Sequence, residues 1–244
     1  VDAVVADAGW LDRVLRAMPG AKLPLESAMP LVALAAAKEP GLSAPLGLYV
    51  IRQLKTEGLW LEAHAIWLRL WKRPLGYLFN GDFEQNFVAG GFDWEVIERD
   101  PHRGGARIDL AGRRERGQVL RVAFTGRAMK TPLVRQHLLL PPGSYRFAGE
   151  FQSGDLRSER GLAWVFSCAS DGRELARTAP LMAGGRTWQP MGVSLEVPVE
   201  CGLGVALALQ TEAPFEAKTG LRGEVVFDRF TLVQAPANQG TSQP

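Results

Sequence analysis

Hydrophobic positions along this chain recur with one period before about residue 74 and with another after about residue 77. In the first part, DAVVADAGWLDRVLRAM places Val5, Trp10, Leu11, Val14, Leu15 and Met18 at three- and four-residue spacing, the stripe of an amphipathic helix. Pro19-Gly20 ends it. LESAMPLVALAAAKE reads as a second helix, bent at Pro30 and closed by Pro40-Gly41. A helical pair follows, LGLYVIRQLKTEG and LWLEAHAIWLRLWKRP.

Beyond residue 77 apolar and polar residues alternate. The expected strands are 92–98, 106–112, 118–126, 133–140, 144–152, 161–169, 174–181, 191–199, 203–211 and 224–233. Turn signals separate them: Pro141-Pro142-Gly143, Asp171-Gly172, Gly184-Gly185 and Thr219-Gly220. Short strands at this spacing argue a β-sandwich, with no helix inside 118–233. The fold class is therefore α+β in two segregated domains: helical hairpins over 1–76 and an antiparallel β-sandwich over 77–235. The boundary falls between Pro74 and Leu78, and the polar, Pro-containing tail 236–244 is expected to be disordered.

Composition changes this picture little. With 46% hydrophobic residues the chain can bury real cores, and a net charge of +2 gives no bulk attraction to nucleic acid. The one basic cluster is RDPHRGGARIDLAGRRERGQVLR, with Arg99, Arg103, Arg107, Arg113, Arg114, Arg116 and Arg121; it is either solvated loop charge or a place for an anionic ligand. Cys168 and Cys201 lie in apolar runs, either as two small buried hydrophobes or as a single disulfide. No apolar run has the length of a membrane span. The chain begins at Val1 rather than Met, so a targeting or anchoring segment ahead of it is expected to have been removed.

The last helical pair resembles a tetratricopeptide repeat. The second half of that repeat runs from a Gly through an Ala to an aromatic, with a Pro beyond the helix. Here those are Gly58, Ala63, Trp67 and Pro74, with Glu62 before the Ala. Gly58 permits the tight turn, Ala63 the close helix approach, and Trp67 fills the space between helices. One repeat cannot bury its own face, so it must stack on something else. The resemblance implies a helical surface for a protein partner.

LFNGDFEQNFVAGGFDWEV, where the period changes, resembles the start of carbohydrate-binding modules of the family 4/9/22 type, which are β-jelly rolls. LLLPPGSYRFAGEFQ, TWQPMGVSLEVP and GEVVFDRFTLVQ resemble later landmarks of the same modules in the same order. On this resemblance Asn80-Gly81 turns the chain and Phe83 anchors it in the core. It also implies a structural calcium ion held by Glu84 and Asp228, since hard cations take oxygen donors. The other reading is that these two carboxylates pair with arginines or backbone amides.

Alternation in SYRFAGEFQ sends Tyr145, Phe147 and Phe151 to one face and Arg146, Glu150 and Gln152 to the other. The second set is a polar row suited to sugar hydroxyls, or a wetted outer face. Trp164 and Trp188 are candidate stacking platforms, or core residues. His64, His102 and His137 share no metal-ligand spacing, and no nucleophile elbow or phosphate loop occurs. The expected protein is therefore not an enzyme. It is a glycan-binding scaffold of bacterial envelope or exopolysaccharide machinery, periplasmic or otherwise extracytoplasmic, with the cytoplasm left open. The alternatives are an adaptor with no sugar site and a small carbohydrate-active enzyme.

Overall fold

The computed structural model describes residues 40–88, 90–97 and 104–236. The helices expected in residues 1–39, the side chains of Arg99, His102 and Arg103, and the tail beyond residue 236 lie outside the described residues. The chain divides into two compact units, Val1–Leu75 and Gly76–Pro244.

In the first unit the described residues form one helical hairpin, α1 (Pro40–Thr56) and α2 (Trp60–Trp71). Pro40 and Gly41, expected to close a helix, instead begin α1. At the first helical position the missing N–H costs nothing and the fixed φ is already helical. Gly58 makes the turn with a φ of +78°, where a side chain would be strained. Leu46, Val50, Ile51 and Leu54 of α1 and Ala63 and Trp67 of α2 are all buried. The helices approach closely at Gly47, where a Cβ would lie 2.2 Å from Leu70 Cδ1. Trp67 stacks on Trp71, with ring centres 4.3 Å apart. A single hairpin, rather than an array of repeats, is what the described residues show.

The second unit is a sandwich of two antiparallel sheets, a strand order that fits the expected jelly roll. One sheet has the order β1 (Glu95–Val96), β4 (Val134–Leu139), β9 (Gly204–Thr211), β6 (Leu162–Cys168), β7 (Glu174–Arg177). The other runs β2 (Ala106–Arg113), β3 (Gly117–Thr125), β10 (Arg222–Gln234), β5 (Gly143–Ser153), β8 (Gly185–Val197). Inward positions of both sheets make one core. It includes Leu120, Val122, Tyr145, Phe147, Trp164, Phe166, Leu207, Leu209, Val225 and Phe227.

Three expectations are corrected. The strand expected over 92–98 shrinks to Glu95–Val96, because Phe92 and Trp94 turn into the core while the Asp93 carboxylate accepts the Val88 and Trp94 amides. The strand expected over 174–181 ends at Arg177. A helix, α3 (Pro214–Thr219), lies inside the stretch expected to be free of helix. Pro214 removes a ladder donor there and opens the helix, and the Glu216 side chain, only 2% exposed, accepts the Ser158 hydroxyl and the Glu159 and Arg160 amides of the β5–β6 loop.

The segment at the change of period ties both ends of the sandwich together. Asn80, with φ +50°, bridges to Gln85 through both ends of its amide and accepts Trp94 Nε1–H on its carbonyl. Gly81 lies so close to β10 that a Cβ would sit 2.2 Å from the Phe230 carbonyl oxygen, and the Phe230 amide donates to the Gly81 carbonyl. Phe83 is fully buried, edge-on to Phe230. The cysteines, left open by the sequence, form a disulfide from the end of β6 to the 3-10 turn Val199–Cys201, with Cα atoms 5.1 Å apart.

Candidate functional site

The outer face of the β2-β3-β10-β5-β8 sheet carries the polar row expected in β5. Arg146 is exposed, and Glu150 and Gln152 are half-buried. Cross-strand register sets their neighbours: Glu150 lies between Asp228 and Pro190, and Gln152 beside Val226. Arg146 lies between Val233 and Ser194, some 13 Å along the strand from Glu150 at the usual rise per residue. Trp188, half-buried at the start of β8, joins the Glu150 end of the row. Gln152 Nε2 donates to the Arg186 carbonyl, which fixes the entry to β8. The structure thus groups Glu150, Gln152 and Trp188 and leaves Arg146 apart.

Trp164 does not belong to this face. It is fully buried between the sheets, edge-on to Trp94, Phe227 and Phe230 at 5.0–5.6 Å. The correction has a simple cause: Trp164 occupies an inward position of β6, and that strand is buried along nearly its whole length.

The residue that organises the site is Arg116, at the tip of the β2–β3 hairpin. Its guanidinium reaches Glu150 Oε2 at 2.5 Å and Asp228 Oδ2 at 3.4 Å, and its carbon lies 4.3 Å from the centre of the Trp188 ring. Cation, carboxylates and aromatic ring thus come from three strands and a hairpin tip. The Arg-rich run marked this hairpin in the sequence, but nothing there showed that its tip reaches β8. Asp228 is 3% exposed. Burial raises its pKa above the usual carboxylate value, opposed by the Arg229 amide and by Arg116. The native state therefore holds the Asp228 proton more tightly than the unfolded chain does. Keeping it ionised costs stability that is recovered as the pH falls through the raised value toward the unfolded one.

Beside this group a cleft of about 480 Å³ opens, lined by Arg113, Gln152, Asp155, Arg186, Glu224 and Val226. Arg113 pairs with Glu224 at 2.8 Å. Farther toward β2, Arg121 grips Asp109 with two 2.7 Å hydrogen bonds, and Arg107 adds a third at 2.9 Å. Those bonds, led by Arg121, hold the Asp109 carboxyl below its usual range. Such half-exposed pairs are worth little to stability and set the shape of the face.

The two carboxylates expected to hold calcium are engaged with donors of the chain itself. Glu84 Oε1 accepts the Gln118 amide at 2.9 Å, and Asp228 faces Arg116 and the Arg229 amide. They fit a hard cation only with Arg116 displaced. Among the described residues no group of three or more His, Cys, Asp and Glu is placed to hold a metal, so other donors would be carbonyls or water.

No family model matches this sequence, and no curated protein does. Solved structures with a similar fold include a family 4 carbohydrate-binding module, at TM-score 0.47 and 14% identity, covering 65% of this chain and 99% of that one. A Bacteroides thetaiotaomicron protein described as sugar-binding has TM-score 0.43 and 10% identity, covering 66% of this chain and 100% of that one. A xylan-binding domain of family 22 has TM-score 0.42 and 15% identity, covering 67% and 97%. At these scores they are distant likenesses, and the site is read from its own residues.

Proposed function

We propose that this chain is a non-catalytic glycan-binding scaffold whose outer sheet face contacts an acidic or neutral polysaccharide. The observation that carries the reading is the grouping of Trp188, Glu150 and Gln152 beside an open cleft. Sugars ask for that combination: carboxylate, amide and guanidinium groups to direct hydroxyls, and an aromatic face for the apolar side of the ring. The landmarks shared with carbohydrate-binding modules support it. The helical hairpin would meet a protein partner, in keeping with a role in bacterial envelope or exopolysaccharide machinery. The disulfide supports an extracytoplasmic location, since cytosolic thiols are kept reduced. Among the described residues no helix is long and apolar enough to cross a membrane.

Affinity electrophoresis of the full chain across a panel of bacterial exopolysaccharides tests this. Retardation by at least one polymer is expected, weakened by Trp188→Ala and Gln152→Ala with little change in melting temperature. No retardation by any polymer would move the reading to a protein–protein adaptor. One observation favours that alternative: Arg107, Asp109, Arg121 and Glu224 satisfy one another across half the face.

Calcium at Glu84 and Asp228 is a separate proposal. If the ion binds, chelation lowers the melting temperature and Glu84→Ala removes that dependence, because a ligand of the folded state stabilises it by mass action. An unchanged melting curve in protein previously loaded with calcium rejects it.

A further inference from the structure

Two arginines line the cleft on the outer sheet face, and they come from opposite edges of the sheet: Arg113 from the end of β2 and Arg186 from the start of β8. Arg113 is anchored by an ion pair, its Nη2 donating to Glu224 Oε1 at 2.8 Å. Arg186 is anchored differently. Its carbonyl accepts Gln152 Nε2, and its side-chain stem lies against Gly154, where a Cβ would sit 3.2 Å from Arg186 Cγ. Among the described residues no carboxylate pairs with its guanidinium, which stands exposed at the cleft.

The charges around the cleft do not balance. Asp109 is held by Arg107 and Arg121, and Glu224 by Arg113 and, at 3.8 Å, by Arg121. Asp155 gives Oδ1 to the Glu224 amide at 3.1 Å. With Arg186 counted, four arginines meet three carboxylates, and the excess positive charge belongs to Arg186. A guanidinium makes its strongest contact with a planar carboxylate, through two parallel N–H···O bonds. Between the two arginines lie Val226 and Gln152, paired across β10 and β5, an apolar group and an amide for one sugar ring. The cleft, about 480 Å³, has the size of an ordinary ligand site.

We propose that the polymer bound by the outer face is a uronic-acid polysaccharide, its carboxylate taken by Arg186 and its ring lying over Val226 and Gln152. This rests on the glycan-binding reading of the face and narrows it from acidic or neutral to acidic. Charge complementarity of this kind sets which polymer is accepted more than how tightly it binds.

Isothermal titration calorimetry of the full chain against polygalacturonate, alginate and hyaluronan, each beside its carboxyl-reduced neutral form, tests it. At least one acidic polymer is expected to bind about tenfold more tightly than its reduced form, the worth of a charge-assisted hydrogen bond. Arg186→Gln is expected to cost a similar factor, and Arg186→Lys to recover only part of it, since a point charge lacks the fork. Arg160→Gln removes the same charge from an exposed side chain outside the cleft and is expected to change affinity by no more than about twofold, because salt screens exposed charges. Reduced polymers that bind as tightly as the acidic ones, or an Arg186→Gln variant with wild-type affinity, overturn the proposal and leave the glycan reading standing. An equal loss in Arg160→Gln does the same, since it marks diffuse charge rather than a site. No binding of any of the three acidic polymers also overturns it, and the exopolysaccharide panel then decides the glycan reading separately.

Discussion

Trp164→Ala is expected to destabilise the sandwich by about 3–5 kcal/mol, the usual range for a fully buried Trp. For a unit of this size that lowers the melting temperature by roughly 6–20 °C. The ring fills the centre of the core between Trp94, Phe227 and Phe230, and none of these can move in to close the hole without leaving its own partners. Trp188→Ala serves as the control. That ring is half-buried under Arg116, and its loss is expected to change stability by far less while weakening polysaccharide binding. Thermal denaturation of the two variants separates core from site. Equal falls in melting temperature would place Trp188 in the core as well and remove the platform from the outer face.

Removing the disulfide has the second large effect. The bridge closes a loop between residues 33 apart, and chain-entropy reasoning gives about 3–4 kcal/mol for a loop of that length. The Cys168→Ser, Cys201→Ser double variant is expected to melt roughly 10 °C lower than the oxidised protein. Reductant is expected to lower the oxidised protein toward the same value and to leave the variant unchanged. Two free thiols titrated in protein purified under oxidising conditions, or a melting temperature indifferent to reductant, would contradict the bridge and the extracytoplasmic reading built on it.

Most of the strands were legible because alternation is a local signal. A strand with one face in the core and one in water must repeat every second residue, as β5 does from Gly143 to Ser153. The same signal failed where side chains rather than the ladder took the backbone groups. Asp93 did this for the strand expected at 92–98. At α3 Pro214 removed a ladder donor and opened a helix instead. In the candidate face, Glu150 and Gln152 were readable from alternation alone. Arg116 was visible only as one of several arginines in a basic run.

Trp164 and Trp188 show where the division lies. Both sit in strands and both suit a sugar platform, and their local patterns do not separate them. What separates them is which sheet face each strand turns inward and what covers it. Arg116 and Asp228 are brought together from positions 112 residues apart by the β3–β10 pairing and the hairpin tip beyond it. By itself the sequence determined the change of period near residue 75, the positions of most strands and the tight turns at Gly58 and Asn80-Gly81, because these depend on neighbours along the chain. Only the tertiary structure decided which tryptophan is core, which arginine organises the face and that the two cysteines meet, because those outcomes depend on neighbours across the sheets.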